Sequence, residues 1–384
     1  MIKRVSENLA RAYHDEVTVY TTNSLYGPNR SAFVKIDKQE EVIEGVQVKR
    51  FPFLRAHKPL IKYYSLISGK QAPSFLYHYS IGPVSLSMRS AIKRYDCDII
   101  CASSIEYLFA DYALWKNKNK KPFVLYGGLH LEDGKPINKT YLCRIQSADF
   151  YIANTEFEKK VLVNHSVEEH KIKVIGGGTD IFLCEDDLMT KELLRKKYGI
   201  PQDGRVLLYL GRQESSKGIG CLINAFKNLN KDTHLVHLII AGAKGSYSQQ
   251  LQSVLQNHPS IILLNDISEF VKAELIKLSD ILVLPSQYES FGIVFPEAWS
   301  FKKPVVGANI GAVASVIENG KDGLLFNPGD AEDLAKKILI LLQSDSLRCD
   351  MGFAGYEKVM KCYTWPIVAA KFRNVYELAT EVRR

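Results

Sequence analysis

The chain has 384 residues, 46% hydrophobic and 24% charged, with a formal net charge of +8. That length exceeds one ordinary core and fits two α/β domains, and no apolar run approaches the ~20 residues of a membrane helix, so a bilayer span is excluded. Seven cysteines (97, 101, 143, 184, 221, 349, 362), with no C-x-x-C pair, argue against a disulfide framework and a zinc cluster and for a reducing cytoplasm.

In chain order, MIKRVSENLARAYHDE reads as an amphipathic helix and not as a secretory signal. Aliphatic and β-branched runs follow at 17–22, 98–102, 123–126, 150–154 and 172–175, and resume at 205–211, 235–242, 260–265, 281–285, 304–308 and 323–326. Strands without period-2 alternation, separated by helical patterns, predict parallel sheets covered on both faces. The junction is placed in 176–204, where a glycine triplet, an acidic cluster and a Pro-Gln-Asp-Gly turn interrupt the pattern. The expected domains are 1–180, completed by a docked helix over 364–384, and 200–362.

Between Glu44 and Asp96 no acidic residue occurs, while Lys49, Arg50, Arg55, Lys58, Lys62, Lys70, Arg89, Lys93 and Arg94 alternate with aromatic residues. This segment, 45–95, would favour an anionic surface, and an ordinary solvated face fits it as well. Asp96-Cys97-Asp98 has the look of a metal-binding D-x-D, but IICA continues it directly, so it reads as a helix end meeting a strand. Further on, His130 lies in a glycine-bracketed loop after a strand, in PFVLYGGLHLEDG.

In YLGRQESSKGIG (209–220) a strand leads through Gly211 and Arg212 into Lys217-Gly218 and a helix. Two cations at a strand-to-helix turn suit a diphosphate leaving group. AGAKGS (241–246) lacks the G-x-G-x-x-G spacing, which disfavours a dinucleotide dehydrogenase. In LPSQYESFGIVFPEAW (284–299) a helix is expected to begin near Phe291 to Gly292, leaving the amides of Ser290, Phe291, Gly292 and Ile293 open to phosphate or hydroxyl oxygens. Ile293 and Val294 should pack inward, and Glu289 and Glu297 should face one ligand, each carboxylate able to accept from vicinal hydroxyls. Two solvated helix-end charges are the plainer reading of that pair.

Together GR-x-x-x-x-KG (211–218), the glutamate pair of ESFGIVFPE (289–297), PVVGA (304–308) and NGKDGLLFNPGDAEDLA (319–335) resemble the donor-binding half of family 4 retaining glycosyltransferases, which have the GT-B fold: two Rossmann-like parallel-sheet domains facing a cleft, with a C-terminal helix returning to the N-terminal domain. ANTEFEKKVL (153–162) and IGGGTD (175–180) match the family more loosely. The resemblance implies a cytoplasmic hexosyltransferase that moves a hexose from a UDP- or GDP-linked donor to a glycan or lipid-linked acceptor, with retention of configuration, in polysaccharide or glycolipid biosynthesis. It implies that Arg212 and Lys217 hold the diphosphate, Glu297 the ribose, Glu289 the hexose, and that His130 reaches the donor sugar; no cofactor and no metal are expected. Partners are then the nucleotide sugar, the acceptor and, through 45–95, the inner membrane face; nucleic acid is not expected.

Two departures bear on this expectation. The family's chains open on a strand and a Gly-Gly loop, whereas this one opens inside the following helix, so that strand is expected to be missing through start-site misassignment or real truncation. Where the family commonly has Gly-Gly-x-x-Glu, this chain has Gly311-Ala312-Val313-Ala314-Ser315. A catalytically impaired sugar-nucleotide-binding protein and a GT-B nucleotide-sugar epimerase are the alternatives.

Overall fold

Runs of aliphatic residues form strands buried on both faces when helices cover each side of a sheet, and the computed structural model is built on that rule. It describes residues 1–26, 33–53, 63–64, 66–68, 84–106, 109–116, 121–132, 134–181, 188–229, 236–255 and 258–383. Two units separate: unit 1 is residues 1–27, 31–176 and 365–384, and unit 2 is residues 28–30 and 177–364.

Unit 1 contains β1 (Thr18–Thr22), β2 (Ser24–Tyr26), β3 (Phe33–Lys35), β4 (Glu40–Ile43), β5 (Val46–Phe51), β6 (Ile100–Ser103), β7 (Phe123–Tyr126), β8 (Phe150–Ala153) and β9 (Ile172–Val174). Strands β6-β7-β8-β9 form a parallel sheet, β1-β5-β4 a mixed sheet with β1 parallel to β5, and β2-β3 an antiparallel pair. The purely parallel expectation is corrected at β4 and β5, which pair antiparallel. Glu44 and Gly45 both have positive φ, 50° and 82°, so their two-residue turn matches the twist of a hairpin. Lys49 and Arg50 pair across it with Glu40 and Glu41, which neutralises two cations of the basic segment. Residues 54–62, 65 and 69–83 of that segment lie outside the described residues.

The helix Trp365–Val382 turns Val368, Phe372, Val375 and Ala379 onto Val124, Phe150 and Ile152 of the β7–β8 sheet and onto Val5 and Leu9 of the helix Ile2–Tyr13. Asp96 to Asp98 connect the helix Leu86–Arg94 to β6, with Asp96 3.0 Å from the Lys121 ammonium. Among the described residues no cluster of His, Cys, Asp or Glu is arranged to hold a metal ion, and no helix is long and apolar enough to cross a membrane.

Unit 2 carries one parallel sheet of β10 (Arg205–Leu210), β11 (Val236–Gly242), β12 (Ile261–Asn265), β13 (Ile281–Leu284), β14 (Val305–Ala308) and β15 (Gly323–Phe326), in the order β12-β11-β10-β13-β14-β15. From β10 the chain runs outward through β11 and β12, then returns to place β13 on the other side of β10. The order reverses there, and a crevice opens beyond the strand ends at such a switch point. The helix Ile219–Leu229 follows β10 with Ile219, Leu222, Ile223 and Phe226 buried on the sheet. A further helix, Lys191–Tyr198, lies in the stretch read from sequence as a plain junction.

Candidate functional site

The loops after β10 and β13 flank the switch point of unit 2 and carry the candidate donor residues. Their approach is set by a glycine. Gly218 has φ +72°, and a Cβ there would lie 2.0 Å from the carbonyl oxygen of Pro285, so only glycine lets the two loops pack. The Gln287 amide donates to the Ser216 carbonyl at 3.0 Å. Lys217 thereby reaches the neighbouring loop, where its ammonium donates to Glu289 Oε1 at 2.5 Å and to the Tyr288 carbonyl at 3.3 Å. Both side chains of the pair are largely buried, 14% and 11% exposed, so the pair escapes most solvent screening.

Arg212 is more open. Its guanidinium pairs with Glu214, and its carbonyl accepts from the buried Tyr209 hydroxyl at 2.9 Å. Gly211, at the end of β10, sits 3.0 Å from that hydroxyl when given a Cβ. Burial, with the charges of Glu289 and Glu214, holds the Tyr209 phenol far above its ordinary range, so it stays a neutral donor.

Downstream of Glu289 the helix is Val294–Ser300, so the expected start near Phe291 is corrected by three residues. Gly292 is the cause: at φ +81° it is left-handed and cannot belong to the helix, and a Cβ there would strike the Phe295 ring at 2.5 Å. The inward packing expected of Ile293 is also corrected. Ile293 is 39% exposed, and Phe291, Phe295, Ala298 and Trp299 fill the core instead, Phe291 edge-on to Tyr363 at 5.3 Å. Phe291 can offer a ligand only its backbone. Among the described residues, the amides of Ser290, Phe291, Gly292 and Ile293 have no hydrogen-bond partner.

Glu297 does not share a partner with Glu289. Its Oε1 accepts from Lys272 at 2.7 Å, and Lys272 also pairs with Glu269 at 2.7 Å. Burial raises the Glu297 carboxyl above its ordinary pKa, opposed by Lys272 and reinforced by Glu269 and Asp180. Burial pulls Lys272 down, yet the two carboxylates outweigh it and hold the ammonium above its ordinary value. Lys272 was missed in the sequence because it lies on the helix Glu269–Leu278, in EFVKAELIKL, which reads as a plain amphipathic surface.

Gln213 is a second residue that sequence reasoning passed over. Fully buried, it donates to Asn265 Oδ1 at 2.6 Å and to the Gly242 carbonyl at 3.3 Å, and accepts from Ser248 at 2.7 Å. It ties the ends of β10, β11 and β12 into one rim, and AGAKGS is part of that rim. After β14 the altered stretch forms a short helical turn, Gly311–Ala314, with Val313 in the core.

His130 belongs to unit 1, exposed in the loop after β7. Gly127 precedes it because a Cβ there would overlap the Tyr151 hydroxyl at 1.5 Å, and Gly128 has φ +77°.

Two α/β units in one chain, each with a parallel sheet, are what a GT-B-type protein contains. Comparison with known proteins agrees. Residues 1–181 match Glycosyltransferase Family 4, and residues 190–358 match Glycosyl transferases group 1. An uncharacterized glycosyltransferase of Methanocaldococcus jannaschii is 28% identical over 267 residues, 67% of this chain and 67% of that protein. A D-inositol 3-phosphate glycosyltransferase of Corynebacterium aurimucosum is 30% identical over 251 residues, 62% of this chain but 59% of its own length. The crystal structure of Anabaena HepE in complex with UDP superposes with a TM-score of 0.70 at 17% identity, covering 97% of this chain and 95% of that one. The chain belongs to the group 1, family 4 glycosyltransferases.

Proposed function

We propose that this protein moves a hexosyl group from a UDP- or GDP-linked sugar to a glycan or lipid-linked acceptor with retention of configuration. The observation that carries the proposal is the Lys217–Glu289 pair, which joins the loops on either side of the switch point of unit 2. A donor diphosphate would take over Lys217 and Arg212, releasing Glu289 to accept from the hexose hydroxyls. Glu297 would accept from the ribose, and the free amides of Ser290 to Ile293 would donate to phosphate or sugar oxygens. Negative charge grows on the departing diphosphate, so cations fixed in place favour the transition state over the ground state. A β-phosphate oxygen receives the acceptor proton, which removes the need for a glycosidase-type carboxylate pair. On the family resemblance His130 is assigned to the donor sugar, and the positive charge of the basic segment 45–95 suits an anionic acceptor or the anionic inner membrane face.

That HepE was solved with UDP makes UDP-linked hexoses the first donors to test. In a panel of UDP- and GDP-sugars, one donor should release nucleotide in an acceptor-dependent way, and NMR of the product should show the donor's anomeric configuration. An inverted product overturns the retaining reading. Nucleotide binding with no turnover of any donor replaces the enzyme by a binding protein. Lys217→Ala and Glu297→Ala should each abolish turnover in a folded chain, and normal rates in either would discard the site. Because Arg212 and Lys217 supply the positive charge, turnover should persist in excess EDTA; a loss restored by a divalent cation would assign that charge to a metal instead.

A further inference from the structure

Unit 1 holds a buried carboxylate that the reading above does not use. Glu158, on the helix Glu156–Asn164, is 1% exposed. Its Oε1 accepts from the Tyr151 hydroxyl at 2.6 Å and from the Leu129 amide at 3.3 Å, and its Oε2 accepts from the Asn154 amide at 2.7 Å. Leu129 is the residue before His130. The loop entering it is cast around the same cluster: Gly127 lies against the Tyr151 hydroxyl, and Gly128 against Asn154, whose Oδ1 accepts from Tyr126 at 3.0 Å.

We propose that Glu158 is the positioning residue of the His130 loop, its ionised carboxylate pinning the Leu129 and Asn154 amides so that the imidazole stands in one place. The proposal rests on the reading of His130 as a site residue. The argument is one of donors and acceptors. Every group that meets Glu158 here donates, and only a carboxylate accepts from all of them without donating in return. A proton on Oε1 would face the Tyr151 hydroxyl and the Leu129 amide, and only the hydroxyl can turn round to accept it. The Leu129 bond, already the longest of the three, is then the one lost. Replacement by glutamine has the same defect, since its NH2 group meets donors.

A cluster that serves only the core would need no charge, and burying one is costly. Burial raises the Glu158 carboxyl to about 7, and the bonds that restrain the rise come from Tyr151 and the amides of Asn154, Leu129 and Gly128. The ionisable groups facing it are Tyr151 of β8 and Tyr126 of β7, with Cys101 of β6 behind Tyr126; burial raises all three, so they stay neutral through this range. Two consequences run in opposite directions. A carboxyl raised in the fold adds stability as pH falls below about 7 and loses it as pH rises through that value, whereas the loop is pinned only above it. A purely structural Glu158 would make the protein looser at high pH, not more ordered around His130.

The test is amide hydrogen exchange of residues 127–131 and 154 between pH 6 and 8.5, corrected for intrinsic rates, alongside the pH profile of nucleotide release. Protection of Leu129 should fall roughly tenfold as pH drops through the titration of Glu158, and kcat should fall with it. In Glu158→Gln the protection should be low and flat, with kcat at pH 8 reduced roughly tenfold or more and donor KM within about twofold. Tyr151→Phe keeps the acid but removes a bond that favours its ionised form, so both curves should move to higher pH. This variant keeps the test decisive if Glu158→Gln does not fold. Flat protection in the unaltered protein, an unmoved curve in Tyr151→Phe, or full kcat in a loosened Glu158→Gln each overturns the proposal. If no donor is turned over at any pH, the proposed function fails, while the exchange data still decide whether Glu158 pins the loop.

Discussion

Lys272 and Glu297 stand 25 residues apart in sequence, yet share a 2.7 Å ion pair in a largely buried setting. Breaking one member of such a pair leaves the other uncompensated, and a carboxylate so stranded takes up a proton instead. The folded pKa of Glu297 already stands above its ordinary value, so the ionised form costs stability as pH rises through it, and Lys272 reduces that cost. Lys272→Met should therefore push this pKa higher still. A protonated Glu297 is a poorer acceptor for vicinal hydroxyls, so donor KM should rise roughly three- to tenfold at the acid end of the range and recover as pH rises. Donor KM measured from pH 6 to 9 checks this, and a KM that rises equally at every pH would reduce Lys272 to a packing residue.

At the scale of elements, what could be read in advance was the buried sheet. FVLY and GLLF are strands at the bounds the aliphatic runs suggested, because a strand covered on both faces leaves no polar alternation to confuse with a surface helix. The hairpin of β4 and β5 was not legible, since Glu40, Glu41, Lys49 and Arg50 make it look solvated, and its ion pairs appear only once the strands are opposed. The candidate site divides the same way. Gly211, Arg212, Lys217 and Glu289 follow from loops at strand ends, but the partner of Glu297 depends on how the helix Glu269–Leu278 lies beside the helix Val294–Ser300, which no local pattern encodes. Gly218 is the contact that holds the two loops together, and it has a built-in control. Gly320 is also left-handed, φ +84°, but a Cβ there meets nothing within 4 Å. Gly320→Ala should cost only the ~1 kcal/mol of a strained backbone. Gly218→Ala adds a collision with the Pro285 carbonyl, so it should cost about 2–4 kcal/mol and raise donor KM by separating Lys217 from Glu289. Thermal melts beside donor kinetics compare the two, and equal losses would mean that the loops tolerate separation.

At the scale of the molecule, the chain ends in the unit in which it began. Residues 365–384 belong to unit 1, and Phe372 is fully buried in a core that includes Val124, Phe150 and Ile152 of its sheet and Val5 and Leu9 of the first helix. Unit 1 thus gains much of one sheet face from the far end of the sequence, and its stability should respond to changes there independently of the strand core of unit 2. Removing a buried phenylalanine ring costs ~3–5 kcal/mol through lost transfer and the cavity left behind. Phe372→Ala should lower the melting transition of unit 1 by that amount and leave unit 2 nearly unmoved. A nucleotide diphosphate held at Arg212 and Lys217 should do the reverse, raising only the transition of residues 177–364 by the mass-action term RT ln(1 + [L]/Kd). Calorimetry with and without UDP separates the cases: two transitions, one lowered by Phe372→Ala and the other raised by UDP. A single transition that shifts with both would show instead that the units unfold as one body, so that the loss of a ring in one lowers the melting of the other.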